Sequence, residues 1–305
     1  MMHFLRLIIT NKRMYAKITE ELLSELTGNY TDVSSIKKEN CTELAFYLFR
    51  ETAILVILVS SILKSIDDDN KALPRNQAIC AGLLVRIMKF MGAVLSLMID
   101  RVRDHGEVIM ATNRCIIESS INLKFFCDKA SEQDFDLFVK SGLGPDKELF
   151  DNIQENISNR GHELPIETRM LRSINNLFRI SGISDLTELD NIPRWKSYKA
   201  ILRELDLESA YASLQRIPSH LVHGTWPDLA MHHLEVIDDG FEPNLDSITP
   251  DSRLLCPTIN LVLLSVKAYI EKYFSDVDAI AFITDKADDL IVRNNTVDQF
   301  HESSL

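Results

Sequence analysis

The sequence predicts an all-α protein: a single-domain helical bundle of about eight helices, with an irregular insertion after a histidine-rich segment. Three observations carry this reading. Only 10 Gly and 9 Pro occur in 305 residues, too few for the turns that a sandwich or barrel of short strands requires. Apolar residues recur at intervals of three and four over long runs, the period of a helix face. Hydrophobic residues make up 46% of the chain and charged residues 26%, so the chain can bury a sizeable core.

The elements follow in order. Met1 to Thr10 (MMHFLRLIIT) is short, carries Arg6 in its middle and lacks a small-residue cleavage site, so it does not read as a signal peptide. Residues 12–27 predict a short amphipathic helix that stops at Gly28, and 29–40 a polar loop. A long helix runs from about Thr42 to Ile66 and is apolar nearly all round after Glu51, which marks it as central. Its most apolar run, Thr52 to Leu63, has twelve residues and falls short of the roughly 20 that span a bilayer, so a buried helix is expected. Pro74 suits the first turn of the next helix, whose apolar face holds Ile79, Leu83, Leu84, Ile87, Met88, Met91, Val94, Leu95 and Met98.

A third long helix is expected from Glu107 to Lys129, then a more polar stretch from Asp134 to Gly161 with a turn at Gly142-Leu143-Gly144-Pro145. Pro165 to Ile180 is amphipathic, with Met170, Leu171, Ile174, Leu177 and Phe178 opposite Arg169, Arg172, Asn176 and Arg179. Helices follow at Lys196 to Leu205 and Leu207 to Arg216. Trp226 to Arg253 is irregular, with a short hairpin around Leu234 to Phe241. Pro257 opens a last strong helix, Thr258 to Ser275. The bundle domain is thus 1–275, with its core at about 42–275; residues 276–305, with seven acids and two bases, read as an acidic tail, a loosely packed helix or partly disordered.

The net charge of −12 opposes broad DNA binding and attachment to an anionic membrane. Cys41, Cys80, Cys115, Cys127 and Cys256 are an odd, widely spaced set with no C-x-x-C pair, which suits a reducing cytoplasm better than a disulfide framework.

Two places could carry chemistry. Four of the eight histidines, His220, His223, His232 and His233, fall within fourteen residues. Pro218 interrupts the helix before them, and a kink there would re-aim Arg216 toward His223. The alternative is a helix end whose histidines cap carbonyls. The second place is Arg114-x-x-x-Glu118-x-x-x-Asn122, whose four-residue steps set all three on one helix face among apolar flanks. This is either an internal ion pair that fixes packing or the second half of a site facing Arg216 and His223. His220 and His223 with Asp228, His232, His233 or Glu235 would suit a metal chemically, but no H-E-x-x-H pattern is present, so no metal site and no cofactor is assigned. The window Arg160 to Arg203 holds eight bases and five acids around Trp195 and Tyr198, a solvated helix face or a phosphate- or RNA-binding groove.

Arg114-x-x-x-Glu118, then Tyr211, then Ser219-x-x-x-His223-Gly224 resembles the DUF5677 family over roughly residues 45–275. Families of this type are similar to HEPN domains, helical bundles of toxins and antiphage systems, many of them metal-independent ribonucleases with an Arg-x(4–6)-His motif. Arg216 and His223 fit that spacing; Ile217 stands where the motif usually has a polar residue, and Pro218 lies inside it. The resemblance implies a HEPN-like fold and RNA as substrate. His223 would be general base and Arg216 would stabilise the phosphorane. Arg114 and Glu118 would hold substrate or orient His223, and Asn122, Tyr211, Ser219 and Trp226 would contact it. It also implies a possible homodimer, since such sites often form across two copies. A non-catalytic helical interaction or sensor protein is the second expectation, and metal-dependent hydrolysis the third.

Overall fold

A computed structural model describes residues 30–62, 72–99, 105–212, 214, 222–223, 225–246, 252–274 and 277–304. Among them are nine α-helices of seven residues or more and one two-stranded hairpin, so the all-α class holds. The expected helix over residues 12–27 lies outside the described residues. The chain divides into two units, one of residues 1–128 with 198–305 and one of residues 129–197.

The larger unit is built on α1 (Cys41–Ile62), α2 (Arg75–Ile99), α3 (Gly106–Asp128), α7 (Tyr198–Glu204), α8 (Ser252–Tyr273) and α9 (Val277–Ser303). α8 packs against α1, α2, α3 and α9, and the α2–α3 contact is the most extensive of all. The core between them is large and fully buried: Phe49 and Leu55 of α1, Leu84, Ile87 and Met91 of α2, Phe125 and Phe126 of α3, Tyr269 of α8. Burying each such side chain contributes about 1.5–3 kcal/mol, which is what orders helices this long. Pro257, expected to open α8, sits inside it instead, a turn and a half from Ser252. Near a helix start its missing N–H removes one bond only.

Three segments, Lys38–Ser61, Arg75–Met98 and Ser252–Tyr273, are long and apolar enough to cross a membrane by length and composition. This corrects the length argument from the twelve-residue run, because the helix around it extends from Cys41 to Ile62. The fold covers 72% and 67% of the first and third but only 39% of the second, so α2 is the least enclosed of the three.

The acidic tail is helical, one of the two forms expected of it, but it is packed rather than loose. Residues 277–303 form one helix, whose Ala287, Leu290, Asn294 and Val297 are buried at three- and four-residue spacing. Most of its acids lie on the outer side; Arg293 does not. It enters the interior and meets Glu51 of α1 through two hydrogen bonds, Nη1 to Oε1 at 3.0 Å and Nη2 to Oε2 at 2.9 Å. Both side chains are 4% exposed. Asp289 accepts from Arg293 at 2.6 Å, and Glu51 also accepts from the Thr31 N–H at 2.8 Å and from the Thr31 hydroxyl. The Tyr30 ring stacks 4.3 Å from the Arg293 guanidinium.

The smaller unit holds α4 (Glu132–Gly142), α5 (Gly144–Arg160), α6 (Pro165–Ile180) and a 3-10 turn, Leu186–Leu189. The more polar stretch from Asp134 to Gly161 is therefore two helices, which meet at the expected turn around Gly142 to Pro145. Ser131 and Asp134 form a reciprocal capping box at the start of α4, Pro145 lies in the first turn of α5, and Gly161 ends α5 at a φ of 81°. Leu143, Ile153, Leu171, Ile174, Phe178 and Leu189 make its core.

The expected helix Leu207 to Arg216 begins as the Glu208–Ala210 turn and then leaves the described residues; from Trp226 the described chain is irregular, as expected. Trp226–Asp228 is one helical turn, Leu229–His233 a π-turn, and β1 (Leu234–Ile237) pairs antiparallel with β2 (Gly240–Pro243).

Candidate functional site

α3 is the element that positions the polar residues. Its Ile116, Ile121, Leu123, Phe125 and Phe126 are buried, which fixes its rotation about its own axis. Glu107, Arg114, Glu118 and Asn122 recur at steps of seven, four and four and so share one face. At a rise of about 1.5 Å per residue this row is about 22 Å long.

Arg114 Nε donates to Glu118 Oε1 at 3.0 Å, and the two side chains are 16% and 24% exposed. The pair is thus half-buried rather than fully internal. Asn122 is buried, and its Nδ2 donates to the hydroxyl of Tyr198 on α7 at 3.4 Å. Burial, and next the Glu118 carboxylate, push the Tyr198 phenol up to about 12, so it remains protonated through the neutral range. Within this row, Arg114 Nη1 and Asn122 Oδ1 are buried and have no hydrogen-bond partner among the described residues. Buried polar atoms are normally paired, so these two represent unspent capacity.

The coupling of the ion pair can be tested. An exposed pair at this spacing is worth about 0.3–0.5 kcal/mol and breaking a buried one costs about 3–5 kcal/mol. At intermediate burial, Arg114→Met or Glu118→Gln alone should cost about 1–2 kcal/mol in urea unfolding. The double variant should cost clearly less than the sum. Additive effects would place both side chains in bulk solvent.

At the N-terminal end of the same face, His233 Nε2 stands 3.8 Å from Glu107 Oε2 and 3.7 Å from Asp228 Oδ2. Asp228 is buried, and its Oδ1 has no partner among the described residues. His233 lies in the stretch expected as irregular, and the π-turn brings it to α3. Glu107 receives no role from sequence, and Asp228 is singled out there only as a chemically suitable metal ligand. Asp228 follows a proline in an irregular stretch, and nothing local marks it for burial. No group of three or more His, Cys, Asp or Glu side chains among the described residues is placed to hold a metal.

His223 is exposed, in a short helical stretch with Val222. Tyr211 is half-buried at the end of the Glu208–Ala210 turn. Trp226 is 58% exposed and lies edge-on to Phe241 of the hairpin, 5.5 Å between ring centres. Arg216, Ser219 and His220 lie outside the described residues. The structure therefore brings Arg114, Glu118, Asn122 and Tyr198 together, adds Glu107, Asp228 and His233 along the same helix face, and places Trp226 with the hairpin. In the basic window, Arg169, Arg172 and Arg179 are exposed on α6, while Trp195 stacks edge-on to Phe138 at 5.2 Å within the smaller unit.

One family model, described as a family of unknown function (DUF5677), matches residues 77–241, just over half of the chain. That span runs from the first turn of α2 to the start of β2 and contains α3 to α7 and every candidate residue named above. No curated protein and no solved structure matches the chain.

Proposed function

The chain belongs to the DUF5677 family, and we propose that it is a HEPN-like, metal-independent ribonuclease whose substrate lies along the polar face of α3. One observation carries the reading: Arg114 Nη1 and Asn122 Oδ1, about two turns apart on that face, are buried and have no partner among the described residues. A face built only for packing would satisfy both. A ribose-phosphate chain offers what they lack, phosphate oxygens for Arg114 and hydroxyl donors for Asn122.

In this reading His223 takes the proton of a ribose 2′-hydroxyl, since imidazole suits general base work near neutral pH. The 2′-oxygen attacks phosphorus, the 5′-oxygen leaves with a proton from solvent, and a cyclic phosphate remains. Arg216 offsets the charge that builds on the phosphorane oxygens. Arg114, steadied by Glu118, holds the adjoining phosphate. The reading is tested by incubating the chain with single-stranded RNA in the presence of a chelator and following cleavage.

A second reading, a non-catalytic interaction protein, is favoured by the hairpin. Val236 and Phe241 face each other across its strands and are 80% and 52% exposed, with Trp226 against Phe241. Glu235 stands directly opposite Glu242, an unfavourable cross-strand pair in an isolated hairpin. Residues 234–246 hold five acids and no base. A second copy of the hairpin, RNA and an anionic bilayer are all repelled by such a surface. The occupant it fits is an extended basic, apolar segment of a partner protein, added as a third strand. A synthetic peptide alternating Lys and Val should bind in a salt-sensitive manner and lose at least about tenfold in affinity to Phe241→Asp. Equal binding of an alternating Glu and Val peptide would contradict this reading.

A further inference from the structure

Five side chains of α2, α3 and α8 converge away from the polar face described above. Cys80 of α2 is fully buried, and Cys127 in the last turn of α3 is half-buried. The Cys80 and Cys127 thiols sit close enough to act on each other's ionisation. The Tyr273 hydroxyl also donates to Cys80 Sγ, at 3.5 Å. Lys272 Nζ is fastened beside them, donating to the carbonyls of Phe126 at 2.8 Å and Cys127 at 3.1 Å. Tyr269, fully buried and with its ring 5.2 Å from that of Tyr273, completes the group; its hydroxyl has no partner among the described residues.

Each feature has a physical consequence. Two thiols held together in one pocket ionise as a pair, the proton that remains being shared between them. The Cys127 contact draws the Cys80 thiol down against its burial, with help from Tyr273 and the Lys272 ammonium. The same contact, with burial, pushes the Cys127 thiol up. A nearby cation and donated hydrogen bonds are what make a thiol reactive, whereas a buried thiol in purely apolar surroundings is inert. The unpartnered Tyr269 hydroxyl supplies a further donor where an oxygen would arrive.

We propose that Cys80 and Cys127 are a thiol-oxidation site that closes to a disulfide on exposure to a hydroperoxide. Cys127, the more accessible sulfur, passes its proton to the Cys80 thiolate and attacks the distal oxygen of the peroxide. The O–O bond breaks, the alcohol or water leaves with one proton, and Cys127 becomes a sulfenic acid. The Cys80 sulfur then attacks that sulfur. The S–S bond forms, the S–O bond breaks, and water leaves with the second thiol proton. Two thiols are oxidised by two electrons and the peroxide is reduced by two. The bond would tie the start of α2 to the end of α3, two helices already packed along their length.

The test uses the full-length chain, freed of reductant and titrated with hydrogen peroxide. It is then unfolded, alkylated and mapped by mass spectrometry. Cys80 and Cys127 should leave the alkylatable pool together, in one cross-linked peptide that dithiothreitol releases. Cys115, also half-buried on α3, is the internal control and should stay alkylatable. Lys272→Gln should slow the reaction by up to about tenfold, with Lys272→Arg restoring it, if the ammonium stabilises thiolate. Oxidation of Cys127 to sulfinic acid without Cys80, or consumption of Cys115 at the same rate, overturns the proposal. The wild-type map decides the matter whether or not the variants fold.

Discussion

Replacing Glu51 by Gln, or Arg293 by Met, is expected to cost about 3–5 kcal/mol of folding stability. Each change removes the two-bond partner of a charge held in the interior, where both are 4% exposed, leaving Arg293 with Asp289 alone or Glu51 with Thr31 and with Lys286 at 3.5 Å. That loss is large against a typical total of about 5–15 kcal/mol. Glu51→Leu with Arg293→Met should recover most of it, because the desolvation of both charges disappears with them. The same network sets an acid limit. Burial alone would raise the Glu51 carboxyl, but Arg293 and Thr31 outweigh it and hold it below its ordinary 4.5. A depressed folded value contributes stability that is complete above pH 4.5 and is lost as pH falls below it. Thermal unfolding from pH 7 to pH 3 should show that loss in the wild type and much less of it in the apolar double variant. Single variants that cost under about 1 kcal/mol would mean that α9 is not anchored as described.

The second large effect concerns activity. If His223 is the general base, His223→Ala should lower the rate of RNA cleavage by about 10² to 10⁴ with little change in unfolding temperature. The side chain is exposed, so truncating it removes little packing. His233→Ala is the contrasting variant. His233 stands between Glu107 and Asp228 at the end of the α3 face, and its loss should disturb stability more than rate. A folded, fully active His223→Ala protein would remove the proposed base.

Local spacing made much of this legible. The long helices follow from apolar residues at three and four, and Arg114–Glu118 is readable because its partners are one helical turn apart. What the sequence hid is long-range. Glu51 and Arg293 are 242 residues apart, and no local pattern marks either as the other's partner. The acids of residues 276–305 obscured the spacing of Ala287, Leu290, Asn294 and Val297 that packs α9. α4 and α5 bury one residue each within their spans, Phe135 and Ile153, so their periodicity is faint and their caps carry the signal. In the candidate site, the α3 row was visible, whereas Glu107, and Asp228 as anything but a metal ligand, gained a role only when the π-turn brought His233 to the helix.

The most direct test of the central claim is cleavage of one RNA strand, in the presence of a chelator, beside the same strand with 2′-deoxy sugars. The proposal predicts that the RNA is cut to products ending in a cyclic phosphate, that the deoxy strand is untouched, and that Arg114→Ala and His223→Ala both lose the activity while staying folded. An RNA strand left intact by the wild-type protein, or cut equally well by His223→Ala, would contradict it.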